Sequence, residues 1–280
     1  LQVVSGSGTT NGLVNGRGNI IVGYNEDIFP FLGGGLPASD KTGSHNVIVG
    51  KGHNYSSYGA LVAGEDNVSG GQYASVTGGN FNQATGNYSS ISAGFRGIAS
   101  GIAASISGGQ QNTASGNISS VSGGFSNTAS SGVSSVSGGS TNTASEFATS
   151  VSGGRNNKAM TGFYASVSGG EQNTASGEGS SVSGGINNAA SGDRSSVTGG
   201  TDNQAIADES SISGGQGNDA LGFKSSISGG EQNITSGDLS TVGGGFGNEA
   251  SGFTSSVSGG ATRIALDVDD WVAGSLFEDN

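Results

Sequence analysis

Branched apolar residues recur along this chain at a nearly fixed spacing, most of them between two serines and followed by glycine. The motif has the form S-x-V-S-G-G, as in Ser119 to Gly124. Of the twelve intervals between its central residues, eleven are 15 residues and one is 16. A period of this length is typical of repeat architectures. The thirteen central residues are Val76, Ile91, Ile106, Val121, Val136, Val151, Val167, Val182, Val197, Ile212, Ile227, Val242 and Val257.

A second motif, N-x-A-S-G, alternates with the first, as in Asn112 to Gly116. The two motifs are two short β segments separated by glycine turns, which together close one coil. A helix is excluded because no 3.6-residue apolar period exists and glycine is too frequent. The sequence therefore predicts an all-β fold, a single elongated parallel β-solenoid or β-roll with 15-residue coils and two short strands in each coil.

The repeat also predicts how the chain is organised. Residues 1–60 would form irregular N-terminal coils with an inserted loop at about 25–44, which contains both prolines. Residues 61–265 would form the regular repeats, and residues 266–280 a C-terminal cap. The apolar frame extends outward from the regular motifs to Leu13, Ile21, Ile48, Leu61 and Val272.

Strand alternation predicts which residues point inward. The valine or isoleucine column and the alanine column face each other and make a thin core. The asparagine two residues before each alanine and the serine two residues before each valine share this inward direction. Stacked asparagines can hydrogen-bond along the axis as a ladder. The second glycine of each pair is expected where the turn needs a positive φ or has no room for a Cβ atom.

The outward residues of the valine strand form a flat, serine-rich face, which is a candidate for assembly or ice binding: Ser75, Thr77, Ser105, Ser107, Ser120, Ser122, Ser135, Ser137, Ser166, Ser168, Ser181, Ser183, Ser211 and Ser213. Aromatic residues at the turns are candidates for contacts: Phe125, Phe147, Phe163, Tyr164, Phe223 and Phe253. Large apolar residues near the C-terminus predict a cap or an end-to-end contact: Trp271, Leu276 and Phe277.

Composition and charge narrow the function classes. The net charge is −12 and no basic stripe exists, so nucleic acid is not an expected partner. No apolar run is long enough for a membrane helix, and no cysteine is present for disulfides or thiolate metal sites. Because the chain starts at Leu1, we expect a processed or trimmed chain. The low charge and the Gly/Ser-rich repeat favour an extracellular, secreted or cell-surface protein.

Catalytic chemistry has little support in the sequence. The two histidines, His45 and His53, lie in the irregular N-terminal part, away from any acidic cluster at metal spacing. The favoured interpretation is that both are surface polar residues. We expect no enzymatic activity and no cofactor. Asp267, Asp269 and Asp270 are a weak candidate calcium site, and a solvated acidic cap is the favoured interpretation.

The repeat resembles two β-roll families. Ser119 to Gly132 is similar to the repeats of trimeric autotransporter adhesin heads, a resemblance that implies three left-handed rolls around a threefold axis and an adhesive function. The paired S-S-V-S-G and N-T-A-S-G segments resemble the grass antifreeze β-roll, which implies an ice-binding face. The regular columns here are serine, however, whereas the antifreeze face is rich in threonine.

The serine-rich face has three interpretations: a solvent surface, a packing face that lets small residues approach closely, or an ice-binding face. The expected function is a structural or adhesive protein whose partner is itself, as a trimer or filament assembled through flat serine-rich faces and turn aromatics. Ice binding is the alternative. A polysaccharide or surface ligand stays a third possibility, and no membrane insertion is expected.

Overall fold

The computed structural model describes residues 2–28 and 39–273. These residues form strands, bridges and turns, and no helix occurs among them. Contacts divide the chain into two compact units, Leu1–Thr141 and Asn142–Asn280, which we call the first and the second unit. The boundaries predicted near residues 60 and 265 stay a prediction. Much of the predicted inserted loop at about 25–44 lies outside the described residues, as does part of the predicted cap at 266–280.

The described residues of the first unit contain fourteen short strands: β1 (Ile20–Val22), β2 (Val47–Lys51), β3 (Asn54–Tyr55), β4 (Leu61–Glu65), β5 (Val68–Ser69), β6 (Ser75–Val76), β7 (Gln83–Ala84), β8 (Ser90–Ile91), β9 (Ile98–Ala99), β10 (Ser105–Ile106), β11 (Thr113–Ala114), β12 (Ser120–Val121), β13 (Thr128–Ala129) and β14 (Ser135–Val136).

The described residues of the second unit contain eighteen strands of two residues each: β15 (Thr143–Ala144), β16 (Ser150–Val151), β17 (Lys158–Ala159), β18 (Ser166–Val167), β19 (Thr174–Ala175), β20 (Ser181–Val182), β21 (Ala189–Ala190), β22 (Ser196–Val197), β23 (Gln204–Ala205), β24 (Ser211–Ile212), β25 (Asp219–Ala220), β26 (Ser226–Ile227), β27 (Ile234–Thr235), β28 (Thr241–Val242), β29 (Glu249–Ala250), β30 (Ser256–Val257), β31 (Ile264–Ala265) and β32 (Trp271–Val272).

The strand pairs within each unit are parallel, and inside a unit each strand from β2 onward pairs with the strand two places later in the chain. In the first unit, β10 pairs with β12 so that Ile106 lies beside Val121. Likewise β11 pairs with β13, which places Ala114 beside Ala129. The chain thus passes alternately through two sheets, which confirms the parallel β-solenoid with two short strands per coil.

The core is as thin as the repeat predicts. We call the even-numbered strands from β6 to β30 the serine strands and the odd-numbered strands from β7 to β31 the alanine strands. Val121 on a serine strand and Ala129 on an alanine strand are at most 1% exposed. The inward asparagine and serine positions, such as Asn127 and Ser119, are buried as well. One branched side chain and one methyl group therefore make most of the apolar interior of a coil.

The buried asparagines connect neighbouring coils, as Asn188 illustrates. Its Oδ1 accepts a hydrogen bond from the backbone N–H of Asn203 at 3.0 Å. Its Nδ2 donates to the carbonyl oxygens of Gly184 and Gly200, both at 2.9 Å. The predicted ladder is present, but it runs chiefly from side chain to backbone, with a direct contact in some coils, such as Asn203 Nδ2 to Asn188 Oδ1 at 3.1 Å. Every polar atom of the buried amide is satisfied, as a polar group in a thin core requires.

The inward frame shifts by one residue in the irregular coils, and here the prediction for Leu61 is wrong. Val62 pairs with both Ile48 and Val76 and is fully buried, whereas Leu61 is exposed. Adjacent members of this column are 14 residues apart, so a constant 15-residue count falls on the neighbour, which faces outward. Leu13 is also exposed, but Ile21 pairs with Ile48 as the frame predicts.

The turns require left-handed backbone. Gly124 has a φ of +87°, and a Cβ atom there would lie 2.2 Å from the carbonyl oxygen of Gly139 in the next coil. This glycine is therefore needed both for the positive φ and because there is no room for a Cβ atom, as expected. Residues other than glycine also adopt positive φ at the turns, among them the β-branched Ile118 and Val133, at 59° and 58°. Such residues are strained there, and the surrounding hydrogen bonds hold them in place.

Candidate assembly surface

The serine-rich face keeps its register from coil to coil. On the serine strands the residue before the buried valine or isoleucine is half-buried, except for the exposed Ser90, and the residue after it is exposed. The half-buried members of the predicted face are Ser75, Ser105, Ser120, Ser135, Ser166, Ser181 and Ser211, and the exposed members are Thr77, Ser107, Ser122, Ser137, Ser168, Ser183 and Ser213. Because the strands pair in register, each unit presents straight rows of small hydroxyl side chains about 4.8 Å apart along the axis.

A strip of exposed apolar side chains borders this face. We call it the serine-turn edge and define it as the two turn residues four and three positions before each buried valine or isoleucine of the serine strands. In the first unit its exposed apolar members are Tyr73, Tyr88, Ile102, Ile118 and Val133. In the second unit they are Phe147, Phe163, Tyr164, Phe223, Leu239 and Phe253. All are 39–63% exposed, although such side chains are usually buried.

Side chains on this edge contact one another between coils. The rings of Tyr73 and Tyr88 stack at 5.5 Å, and Tyr58 meets Tyr73 edge-on at 5.2 Å. In the second unit, Phe147 and Phe163 lie 6.3 Å apart in an edge-on arrangement. At these positions the apolar side chains of neighbouring coils form shared patches. Patches of this kind on a soluble protein mark interaction surfaces.

Charged residues divide the edge of the second unit. Arg194 and Lys224 both pair with Glu209, at 2.7 and 3.3 Å. The hydrogen bond from Arg194 is the main reason that the pKa of Glu209 is lowered. Exposed pairs like these add little stability. Their effect is to separate one apolar patch, around Phe147 and Tyr164, from a second patch formed by Phe223, Leu239 and Phe253.

The first position of the serine-turn edge accepts asparagine and aspartate as well as phenylalanine. Asn117 Oδ1 accepts the backbone N–H of Ile102 at 3.1 Å, and Asp238 Oδ1 accepts that of Phe223 at 2.9 Å. A polar residue here bonds to the preceding coil, whereas a phenylalanine leaves that N–H to solvent. The phenylalanines are therefore not needed to build the turn.

Five of the six predicted turn aromatics lie on the serine-turn edge, and Phe125 lies exposed at the other turn of its coil. Sequence reasoning missed the aliphatic members of the edge, Ile102, Ile118, Val133 and Leu239. Their constant distance from the buried valine column is the signal that could have found them.

The C-terminal residues are only partly described. Trp271 begins β32, is 67% exposed, and donates from Nε1 to Ser258 Oγ at 2.9 Å. Leu276 and Phe277, the other predicted cap residues, lie outside the described residues. The predicted cap or end-to-end contact stays a prediction.

The candidate calcium residues make hydrogen bonds to protein groups. Asp269 accepts a hydrogen bond from Thr254 Oγ1, and the backbone of Asp267 accepts the N–H of Asp270 at 3.2 Å. Within residues 2–28 and 39–273, no group of three or more histidine, aspartate or glutamate side chains is placed to hold a metal ion. The same residues contain no helix long and apolar enough to cross a membrane.

The sequence matches no protein-family model and no curated protein.

Proposed function

We propose that this protein is an extracellular structural or adhesive repeat protein that self-associates, as a trimer or a filament. The serine-turn edge carries the proposal, because its large apolar side chains lie exposed next to a face of small residues. A second copy of this chain is the partner that matches both features. The small serines would let two faces approach closely, and the edge side chains would be buried at the border of the contact.

The thin core supports association. Each regular coil orders about 15 residues, and in most coils one valine or isoleucine and one alanine make up the buried apolar interior. Ordering the backbone costs conformational entropy, and the small apolar area buried inside a coil offsets only part of that cost. Burial of the edge side chains against a second copy adds apolar area that the single chain does not bury.

The test replaces edge aromatics with a residue that the same position already accepts. Phe223→Asn/Phe253→Asn introduces the asparagine found at Asn117, so the coils should fold as before. In sedimentation and light-scattering measurements at micromolar concentration, the wild type is expected to form trimers or larger species. The double variant should shift toward monomer, with at least a tenfold weaker association.

The matched control is Phe246→Gln at the other turn. Phe246 is exposed, and Gln216 occupies the corresponding position of an earlier coil. This variant should assemble like the wild type. Wild-type protein that stays monomeric at millimolar concentration would contradict the proposal, as would a double variant that assembles as well as the wild type.

Contact through the serine-rich face has its own test. Ser168→Lys/Ser183→Lys places two charges on exposed positions of the face and should also weaken association. The control, Thr174→Lys/Ala189→Lys, changes the alanine strands, where Lys158 shows that lysine is accepted. Equal effects of the two variants would show that net charge, rather than the face, controls assembly.

Ice binding is the second candidate, favoured by the exposed hydroxyl rows that keep a constant spacing. It requires this face to stay open in the functional state. Thermal hysteresis of the monomeric protein at millimolar concentration would support it, and the absence of hysteresis would remove it.

A further inference from the structure

One histidine occupies a position of the buried asparagine column. His53 stands in the coil of β2 and β3, and Asn67 is its counterpart in the coil of β4 and β5. The imidazole is only 2% exposed. Its Nδ1 accepts the backbone N–H of Asn67 at 3.2 Å, just as the Oδ1 of Asn67 accepts the backbone N–H of Asn82 at 2.8 Å.

The other ring nitrogen of His53 also bonds as the amide nitrogen of an asparagine does in this column. His53 Nε2 lies 3.0 Å from the carbonyl oxygen of Val49, four residues earlier. Asn67 makes the same bond, from Nδ2 to the carbonyl oxygen of Ala63 at 2.8 Å. An imidazole that accepts at Nδ1 and donates at Nε2 is neutral. His53 thus takes the place of asparagine in the ladder, but unlike asparagine it can be protonated.

Protonation would break this rung. A proton on Nδ1 would face the N–H of Asn67, so that two donors would oppose each other in a buried site. Burial of the ring lowers the pKa of His53 in the folded protein, although the charge of Asp66 and the backbone carbonyls act in the opposite direction. Asp66, in the turn between β4 and β5, is the charged group that acts on the ring. Lys51 and Glu65, at the ends of β2 and β4, pair with each other at 3.5 Å.

We propose that His53 is an acid-sensitive rung, which joins the coil of β2 and β3 to the coil of β4 and β5 at neutral pH and loosens that junction when it is protonated. The regular coils, whose column is asparagine, lack this response. The device is independent of self-association, because the rung is buried inside the first unit.

The direction of the pKa shift determines how the stability of this junction changes with pH. An unfolded histidine titrates near pH 6.5, and His53 takes up its proton at a lower pH in the folded state. As the pH falls, His53 in the opened junction therefore takes up its proton at a higher pH than His53 in the closed junction. The junction is fully stable above about pH 6.5, and it weakens as the pH falls from there toward the folded pKa.

Hydrogen exchange measured by mass spectrometry between pH 7.5 and 5.0 tests the proposal. After correction for intrinsic exchange rates, the opening equilibrium of residues 47–69 should rise by up to tenfold per pH unit below about pH 6.5. Peptides from residues 105–136 should not change. In His53→Asn, which installs the usual residue of the column, the opening equilibrium of residues 47–69 should stay constant over this range.

His45→Gln is the matched control, because His45 is the other histidine of the chain. It should keep the wild-type acid response. An acid response that persists in His53→Asn would overturn the proposal, as would constant wild-type protection. If His53→Asn fails to fold, NMR titration of the wild-type imidazole decides the matter, since a folded pKa at or above 6.5 contradicts a neutral rung.

Discussion

The inward position two residues before each buried valine or isoleucine uses its side chain differently from coil to coil. Ser134 Oγ donates to the carbonyl oxygen of Ser131 at 2.7 Å, and Thr149 bonds in the same way to Glu146. Ser119 Oγ is buried without a partner, and Ala104 occupies the same position with no hydroxyl at all. The coil therefore needs a small side chain here but does not need its hydroxyl group.

Ser119→Ala should raise the free energy of unfolding by about 1 kcal/mol, because it removes a buried polar group that has no partner. The matched variant Ser134→Ala removes a hydrogen bond that is made, and it should lower the free energy of unfolding by about 1 kcal/mol. Urea unfolding of the two variants beside the wild type measures both. Changes of the same sign would contradict this interpretation.

Asp219 is an acidic residue in a column where several coils have threonine. Burial raises its pKa, so the folded state favours the protonated form. The stability from this group is fully present below the unfolded pKa of about 3.9 and is lost as the pH rises through the folded pKa. At neutral pH the ionised carboxylate is therefore destabilising.

Asp219→Thr should be more stable than the wild type at pH 7, and the difference should shrink as the pH falls toward 3.5. Thermal unfolding of the two proteins across this range measures the change. Asp219→Asn, which keeps the size and removes the charge, should behave like the threonine variant. A stability difference that does not depend on pH would show that the shape of the side chain, not its charge, is responsible.

The asparagine column holds neighbouring coils together at the scale of whole elements. Asn188→Ala removes four hydrogen bonds. It leaves the carbonyl oxygen of Gly184 and the backbone N–H of Asn203 without partners, whereas the carbonyl oxygen of Gly200 keeps the N–H of Ile186. Each buried group left unsatisfied costs about 1–3 kcal/mol, so the free energy of unfolding should fall by about 2 kcal/mol or more.

The control for Asn188→Ala is Asn187→Gly, which changes the adjacent exposed asparagine and keeps the left-handed backbone. It should change the free energy of unfolding by less than about 0.5 kcal/mol. Chemical denaturation compares the two. Similar losses would show that the buried amide is no more important than a surface one.

One coil of the first unit lacks this side chain. Gly97 donates its N–H to Asn82 Oδ1 at 2.8 Å but has nothing to offer the next coil. A Cβ atom at Gly97 would lie 3.5 Å from Ile106 Cδ1, so the larger apolar residue occupies space near the gap. A single missing rung is therefore compatible with the fold.

The sequence was sufficient to predict the solenoid because two constraints repeat together. Strand alternation fixes which residues face inward, and the constant spacing stacks equal residues. The sequence alone therefore predicts that Val121 and Asn127 face inward. The frame failed at Leu61 because a coil can lose one turn residue without losing its strands, and counting residues does not reveal where this happens. His53 was read as a surface residue because its resemblance to asparagine lies in the positions of its ring nitrogens, which composition and spacing do not show.

The candidate surface was only partly predictable. The serine columns follow from alternation alone. The exposed aliphatic residues of the serine-turn edge were overlooked because isoleucine and valine usually mark a core, and Ile118 and Val133 instead lie in left-handed turns that point them outward.

At the scale of the whole molecule, the thin core and the exposed apolar edge should make the thermal stability of the protein depend on its concentration. If the protein self-associates, the assembled form is stabilised by mass action. The midpoint of thermal unfolding should then rise by several degrees between 1 and 100 µM protein. In Phe223→Asn/Phe253→Asn the rise should be much smaller. A wild-type midpoint that is independent of concentration would argue for a monomer.

The register of the coils also bears on how such a chain can change in evolution. Within the second unit, deletion of residues 181–195 would bring Ser196 directly after Ser180, in the place that Ser181 now occupies. Every column would continue unbroken, because the removed segment is one full period. Recombination between similar repeats can therefore lengthen or shorten the gene in whole coils while each product stays foldable. A gain or loss of an odd number of residues within a strand turns its inward residues outward. A turn can absorb such a change, as it does for the extra residue near Met160.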